Sequence, residues 1–220
     1  MPDRMSTALP DELRRVAEGV KGFMPTEKGL ALHRAGLEHL TDGGLGVEIG
    51  SYCGKSTVYL GYAARVRRAT IVTLDHHRGS EEHQAGWEYH DAELVGEDGR
   101  IDTLPWLRST LAAAGVEDVV TPVVGRSADV ARWWRTPLDL VFVDGGHTDE
   151  HARNDLLGWA PWIRVAGALV IHDVFDDPAD GGQPPPPHRI YREALAGGEF
   201  VEHAVTGSLR VLRRVAPPDS

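Results

Sequence analysis

Cysteine is almost absent from this 220-residue sequence, which has only Cys53. A single thiol cannot form a disulfide within the chain, so the composition favours a reducing cytoplasm over secretion. Long apolar runs are absent as well: the longest, 165–171, is interrupted by Gly167 and is far too short to span a bilayer. Residues 1–13 lack the apolar core of a signal peptide. We therefore expect a cytoplasmic location and no membrane partner.

Positive charge is scarce relative to negative charge. Lysine and arginine total 23 against 33 aspartates and glutamates, for a formal net charge of −10. Proteins that bind nucleic acid neutralise phosphates with clustered Lys and Arg, so the composition argues against nucleic acid as the main partner. With 41% hydrophobic residues, the chain can bury a full core. Its length predicts a single domain over 1–220, with a helical N-terminal extension to about residue 42.

A glycine turn follows the first strong strand pattern. An apolar run breaks at Gly50, and a helical pattern starts near Ser56. A phosphate-binding P-loop would need glycine where Ile49 stands, and the GxGxxG dinucleotide spacing also fails. What remains is Glu48-x-Gly50-x-x-x-Gly54, an acidic residue on a strand followed by two glycines. Glycine lacks a Cβ, so this turn can bring backbone close to a ligand, although a plain strand-to-helix turn is the alternative.

Strand and helix patterns alternate along the rest of the chain. Predicted strands cover 45–50, 70–74, 119–124, 138–143 and 166–171, and a hairpin covers 200–205 and 209–215. Predicted helices cover 11–20, a stretch from Leu30 to Leu40 after a turn at 21–29, and then 56–65, 104–114, 127–134, 148–162 and 190–196. This alternation predicts an α/β fold with a doubly wound, seven-stranded, mostly parallel sheet and an antiparallel C-terminal hairpin.

Two segments have no clear element. Residues 78–102 are polar and histidine-rich, which is compatible with a mobile flap over a pocket and equally with disorder. Residues 180–187 hold four consecutive prolines, which predict a rigid loop. Trp87 in the first segment is a candidate to pack on a sugar ring. The core candidates include Leu156, Leu157, Trp106, Trp133, Trp134, Trp159 and Trp162.

Acidic and polar residues cluster where the predicted strands end. They are Glu48 with Gly50, Asp75, Ser127, Asp144 and His172-Asp173. The carboxyl ends of parallel strands share one edge of the sheet, and ligands bind beyond that edge. The sequence therefore predicts a binding edge.

With these motifs in place, nearly the whole chain resembles the class I S-adenosylmethionine (SAM) methyltransferases. Within that class it resembles the small sugar and macrolide O-methyltransferases that use a divalent metal. More narrowly, it is similar to a bacterial group that includes the 1-O-methyltransferase of mycobacterial methylmannose polysaccharide. The segments that carry this similarity are 22–29, 47–57, 75–79, 142–147 and 172–175.

The resemblance implies SAM as cofactor. Asp75 would accept hydrogen bonds from the ribose hydroxyls, as an acidic residue there does in dinucleotide-binding sheets. For Asp75, a helix cap or a solvated turn is the alternative. The amino-acid end of SAM would lie at the glycine turn beside Glu48, and Ser127 would lie next to adenine. The implied cofactor-binding residues are Phe23, Met24, Glu48, Gly50, Ser51, Tyr52, Gly54, Ser56, Asp75, His76, Ser127 and Asp144.

A divalent metal is the second implied cofactor. Asp144 and Asp173 end adjacent strands, and two facing carboxylates repel unless a cation lies between them. Mg²⁺ prefers such oxygen ligands, so we expect a magnesium site at Asp144, His172 and Asp173. The metal-dependent relatives have an acidic or amide residue where His172 stands. Imidazole suits zinc, manganese or iron better, so His172 is either a ligand or a hydrogen-bonding neighbour.

Proton removal from the acceptor hydroxyl is assigned to His147, with Asp144 as the other catalytic candidate. Histidine is a suitable general base near neutral pH, although His147 would also suit a helix start. The spacing of His76, His77, His83 and His90 fits no tetrahedral zinc site.

The main hypothesis is SAM-dependent, Mg²⁺-assisted methylation of a hydroxyl on a saccharide, such as the 1-OH of a methylated mannoside. The acceptor partner would be a small molecule or an oligosaccharide. The alternatives are methylation of a catechol or another small natural product, and a non-catalytic binding protein with the same fold. A nucleic-acid methyltransferase is disfavoured by the acidic charge and by the lack of an Asn/Asp-Pro-Pro-Tyr motif. A homodimer is compatible with the sequence, which does not decide the oligomeric state.

Overall fold

The structure is a computed structural model that describes residues 6–80, 83–84, 86–87, 89–145, 148–175 and 185–216. Its helices are α1 Asp11–Gly19, α2 Thr26–His39, α3 Lys55–Arg67, α4 Leu104–Ala114, α5 Ser127–Ala131, α6 Asp149–Trp159 and α7 Pro186–Ala196. Its strands are β1 Leu45–Ile49, β2 Thr70–Asp75, β3 Val120–Val124, β4 Leu138–Val143, β5 Ile163–Ile171, β6 Phe200–Thr206 and β7 Leu209–Arg214.

The strands form one seven-stranded sheet in the order β3-β2-β1-β4-β5-β7-β6. The pairs among β1 to β5 are parallel, whereas β7 runs antiparallel to β5 and to β6. The α/β prediction of a mostly parallel, doubly wound sheet with a C-terminal hairpin is confirmed. Strand order reverses between β1 and β4, which is the usual position of a ligand crevice in such sheets.

Side chains alternate across the sheet and divide the core into two layers. On β4, Leu140 and Phe142 face the layer formed with α1 to α4, while Val141 and Val143 face the layer formed with α5 to α7. All four side chains are buried. A central strand with apolar residues at every position is expected where helices cover both faces of a parallel sheet.

Helix α2 begins at Thr26, so the predicted turn at 21–29 is too long. Pro25 holds an extended backbone just before the helix. Gly29 lies inside this helix, and the ring of Tyr59 packs directly against it. A Cβ at Gly29 would lie 2.3 Å from atoms of that ring, so the position requires glycine. A glycine that looks like a helix breaker in the sequence is therefore a packing contact between α2 and α3.

Helix α7 begins at Pro186, whereas the sequence predicted a loop to residue 187 and a helix from 190. Proline is tolerated in the first turn of a helix because its missing N–H has no partner there. Residues 180–184, most of the loop predicted over 180–187, lie outside the described residues.

Several boundary and core predictions were wrong. Helix α5 ends at Ala131 rather than 134, and Trp133 is 61% exposed, whereas Trp134 is buried. Leu157 is 56% exposed, while its neighbour Leu156 is buried. Trp106 is also exposed. Strand β5 starts at Ile163 rather than 166, because a register shift against β4 lets the chain continue through Ala166, which has a φ of +68°.

Part of the predicted flap is packed on the body of the protein. Residues Ala92–Leu94 form a 3-10 turn, and Val95 pairs with Ile101. Leu94 and Ile101 are buried against Cys53. Lys21 binds Asp91 at 2.5 Å. Disorder is therefore the wrong interpretation for 91–102. No helix within the described ranges is both long and apolar enough to cross a membrane.

Candidate functional site

Four neighbouring strands end side by side. The N–H of Gly50 donates to Leu74 O at 2.9 Å, which ties the end of β1 to β2. Asp144 N donates to Ile49 O at 2.9 Å, and His172 N donates to Val143 O at 3.1 Å. These bonds continue the sheet ladder past its last strand residues, so the predicted polar residues come together at one edge.

Gly50 allows the closest approach at this edge. Its φ is +86°, and a Cβ there would lie 2.2 Å from the carbonyl oxygen of Asp144. Only glycine fits both constraints. Four residues later, Gly54 precedes α3 with a φ of +92° and leaves the first N–H groups of that 13-residue helix without a side-chain cap. An uncapped helix N-terminus attracts negative groups such as a carboxylate.

Asp75 holds the glycine turn in place. One carboxylate oxygen accepts from the N–H of Tyr52 at 2.9 Å, and the other accepts from the N–H of His77 at 2.7 Å. Both donors have positive φ, at +47° for Tyr52 and +58° for His77. A carboxylate has about four lone-pair sites, so each oxygen can also accept from a hydroxyl on the solvent side.

Glu48 is fully buried beneath the turn. Oε2 accepts from the hydroxyls of Thr57 at 2.6 Å and Thr73 at 2.5 Å. Oε1 makes no hydrogen bond within the part of the chain that the structure describes. Burial raises the pKa of Glu48 to about 7, although the hydroxyl donors act in the opposite direction. The protonated and charged forms of this carboxyl group are therefore present in comparable amounts near neutral pH.

Asp144, His172 and Asp173 form a polar cluster where β4 and β5 end. His172 Nδ1 lies 2.9 Å from Asp144 Oδ1 and 3.4 Å from Asp173 Oδ1. Burial disfavours the imidazolium, but the two carboxylates outweigh it, so the pKa of His172 is raised. Asp173 has a φ of +57°, a conformation that non-glycine residues adopt rarely and often at functional sites.

This cluster fits a divalent cation in its donor set. One ligand atom from each of the three residues lies within 4.8 Å of the other two. Two carboxylates and an imidazole are ligands for magnesium, manganese or zinc, with the imidazole favouring the last two. Asp144, His172 and Asp173 are the residues that would hold the ion.

The comparisons with known proteins agree with this edge. Residues 47–174, more than half of the chain and including β1, β2, β4 and β5, match the family described as Methyltransferase domain. The chain belongs to this methyltransferase family. The matched region contains all of the site residues described so far. Helix α2 lies before it, at Thr26–His39.

Solved structures show the same architecture at low identity. Cofactor-bound Rv0187 from MTB is 20% identical, with a TM-score of 0.62 over 92% of this chain and 86% of that chain. SAH-bound PaMTH1, a methyltransferase from Podospora anserina, is 16% identical, with a TM-score of 0.65 over 94% and 89%. The O-methyltransferase NovP is 16% identical, with a TM-score of 0.65 over 87% and 81%. At these identities, the likeness shows the fold.

Lys28 of the methyltransferase is a site residue that sequence reasoning missed. It lies in the first turn of α2, and its Nζ donates to Ser208 Oγ at 2.5 Å and lies 3.4 Å from His172 Nε2. Ser208 in turn lies 3.4 Å from Asp173 Oδ1. A positive charge is therefore linked to the two carboxylates through Ser208 and His172.

Ser127 has a different local role from the one expected. Its hydroxyl accepts from Trp159 Nε1 at 2.7 Å and also interacts with Asp155. Burial raises the pKa of Asp155 to about 6, despite the Ser127 hydroxyl. The Ser127 side chain is thus part of a buried network between α5 and α6. Its role next to adenine stays a prediction.

The other predicted residues differ in how far their side chains are exposed. Phe23 is 60% exposed, and its ring lies 5.8 Å from that of Tyr52. These two rings, with Tyr89 and Lys21, line a groove of about 420 Å³ beside the glycine turn. Met24, Ser51 and Ser56 are buried, and His76 is exposed. His147, the predicted base, lies outside the described residues.

Proposed function

We propose that this methyltransferase transfers the methyl group of SAM to a hydroxyl group of a saccharide, with assistance from a divalent cation such as Mg²⁺. The observation that carries the proposal is the adjacency of two half-sites on one sheet edge. Gly50 and Asp75 form a cradle at β1 and β2, and the Asp144 cluster follows on β4 and β5. Gly50 contacts the main chain of Asp144, so the two half-sites meet.

The cofactor half-site matches the chemistry of SAM. Asp75 would accept hydrogen bonds from the ribose hydroxyls while it keeps its bonds to the turn. The free N–H groups at the start of α3 would bind the carboxylate of the amino-acid end. Glu48 lies below this turn, and an ammonium group nearby would favour its charged form.

The acceptor half-site would align the hydroxyl and accept its proton. When bound, a divalent cation orients the acceptor oxygen and lowers the pKa of its proton. Asp144 and Asp173 would hold that ion on the acceptor side. His147 remains our prediction for the general base, with Asp144 as the other candidate.

Aromatic exposure at the groove favours a saccharide. Phe23 and Tyr89 line the groove, are 60% and 44% exposed and have ring centroids 5.2 Å apart. Trp87, two residues before Tyr89 in the sequence, is 55% exposed. Aromatic faces pack well on the apolar faces of sugar rings, and exposed aromatic side chains in a cluster mark interaction sites. A methylated mannoside acceptor, suggested by the sequence similarity, belongs to this class of ligand. A flat catechol would also stack there and is the main competing acceptor.

Two measurements test the proposal. Calorimetric titration with S-adenosylhomocysteine should show binding, and Asp75→Ala should weaken it by about 1.5–3 kcal/mol, the typical contribution of hydrogen bonds to a charged group. The exposed Asp11→Ala is the matched control and should bind normally. Transfer of a radiolabelled methyl group should then be screened on mannosides, macrolides and catechols. Unchanged affinity in Asp75→Ala would remove this residue from the site, and labelling of catechols alone would refute the saccharide acceptor.

Lys28 supports a second candidate, in which transfer needs no metal. Its ammonium group already lies next to Ser208 and His172 and can offset the carboxylates. Chelator treatment and Lys28→Met separate the two candidates. If a cation assists, chelation should abolish turnover with cofactor binding intact. If Lys28 takes that role, turnover should survive chelation and be lost in Lys28→Met.

A further inference from the structure

A second cluster of metal-ligating side chains lies away from the candidate site, at the other end of α2. Glu38 and His39 are the last two residues of that helix, and His203 lies on β6, the edge strand of the sheet. One ligand atom from each residue lies within 4.8 Å of the other two. The rings of His39 and His203 are 5.3 Å apart at an angle of 77°.

His39 has the arrangement of a metal-binding histidine. It is only 4% exposed, and its Nδ1 lies 3.1 Å from the carbonyl oxygen of Ala166. A carbonyl oxygen can only accept, so Nδ1 carries the proton and Nε2 presents its lone pair. Among the described residues, Nε2 has no hydrogen-bond partner. Metal-bound histidines usually donate the other ring N–H to a carbonyl or carboxylate in this way.

The other two ligands are placed to complete the site. The register between β6 and β7 shifts at His203, between Glu202 and Ala204. His203 Nε2 lies 2.8 Å from Glu38 Oε1. Their side chains are 33% and 55% exposed, so both can close on an ion. Zinc–ligand bonds of about 2.0–2.1 Å place tetrahedral ligand atoms about 3.3 Å apart, so a bound ion would replace the hydrogen bond between His203 and Glu38 after their two atoms separate slightly.

We propose that Glu38, His39 and His203 bind one zinc-type transition-metal ion that fastens the end of α2 to edge strand β6. Two imidazoles and a carboxylate suit zinc, cobalt or nickel and disfavour magnesium. The carbonyl end of a 14-residue helix also favours a cation.

The surrounding charges do not prevent binding. Arg213 on β7 is close enough to act on His39, and Arg164 donates to the carbonyl of His39 at 2.9 Å. Arg164 is itself paired with Asp139. Burial lowers the pKa of His39, which keeps the imidazole neutral and its lone pair available.

The test uses the full chain after treatment with a chelator and dialysis. Zn²⁺ affinity is measured by competition with a chromophoric chelator, and the visible spectrum of added Co²⁺ reports the coordination. Three variants are compared with the wild type: His203→Gln in the cluster, His151→Gln as an exposed control on α6, and Asp173→Asn at the candidate site.

With Asp173→Asn also present to weaken the candidate site, we expect His203→Gln to weaken the remaining Zn²⁺ binding at least tenfold and to remove the remaining Co²⁺ spectrum, whereas His151→Gln in the same background should leave this ion bound. Glu38→Gln, on an exposed side chain, should repeat the loss if His203→Gln fails to fold. Equal affinity in His203→Gln and His151→Gln would overturn the proposal. So would a loss of the ion in Asp173→Asn alone, because that result would assign it to the other cluster.

Discussion

Gly50→Ala is expected to destabilise the protein by an amount that can be divided into two terms. Gly50 has a φ of +86°, and its Cβ would lie 2.2 Å from a backbone oxygen. The left-handed conformation costs an L-residue roughly 1–2 kcal/mol. Overpacking adds about 1–3 kcal/mol, and the upper part of that range applies here because the obstructing atom belongs to the main chain.

Gly43→Ala provides the matched control. Its φ is +71°, and its Cβ would meet no heavy atom within 4 Å. Both substitutions reduce the entropy of the unfolded chain equally, so that term cancels in the comparison. Gly43→Ala should cost about 1–2 kcal/mol from backbone strain alone. The difference between the two variants isolates the contact between β1 and Asp144.

Urea unfolding followed by circular dichroism measures the free energy of unfolding of both variants. Titration with S-adenosylhomocysteine measures their affinity for the cofactor product. Gly50→Ala should unfold at a lower urea concentration than Gly43→Ala and should bind the cofactor product more weakly, since the main chain of Asp144 must move. Equal unfolding midpoints would refute the argument. They would show that the turn relaxes without cost and that Gly50 is not required by close approach.

Two further predictions concern the core. The pKa of Glu48 is raised to about 7 from an ordinary value of 4.5, so the folded state binds a proton that the unfolded state releases between these pH values. The contribution of this proton to the free energy of unfolding is therefore complete below pH 4.5 and is lost as the pH rises to about 7. This shift in pKa corresponds to about 3 kcal/mol. Glu48→Gln should remove that dependence when the free energy of unfolding is measured against pH. Identical pH profiles for the variant and the wild type would contradict the raised pKa of Glu48. Leu156→Ala should cost about 2–5 kcal/mol and its exposed neighbour Leu157→Ala at most about 0.5 kcal/mol in the same assay, whereas equal losses would contradict the observed rotation of α6.

The strand edge could be predicted from the sequence because topology fixes it. Parallel strands joined by helices place all their carboxyl ends on one side, whatever the helix details. Asp75, Asp144 and His172 could therefore be grouped from the predicted carboxyl ends of the strands, which were accurate to about one residue, although the predicted start of β5 was wrong. The glycines of the turn are recognisable for a similar reason, since their spacing reflects backbone conformation rather than long-range packing.

Residues on helices could not be placed in this way. Lys28 reaches the site only because α2 starts four residues before Leu30 and turns its first side chains towards β5 and β7. That rotation depends on Gly29 packing on Tyr59, a contact between residues far apart in the sequence. The same limit explains Trp133 and Trp134. The early end of α5 decides which of two adjacent indoles is buried, and composition gives no signal for it.

The charges at the candidate site determine what each of the two candidate mechanisms, with and without a metal, requires of Lys28. Asp144 and Asp173 supply two negative charges, and Lys28 supplies one positive charge close to both, through Ser208 and His172. A divalent cation between the carboxylates would lie near this ammonium group, and the two positive charges would repel each other. Metal binding would therefore be opposed as long as the ammonium group of Lys28 lies beside His172. Transfer without a metal requires Lys28 to stay where it is. The sequence resemblance implies an acidic or amide ligand at the position of His172, whereas this chain has a histidine that lies 3.4 Å from the ammonium group of Lys28. An imidazole among the ligands would weaken the binding of Mg²⁺ in particular and would favour manganese or zinc, so these ions should be tested beside Mg²⁺ when activity is restored after chelation.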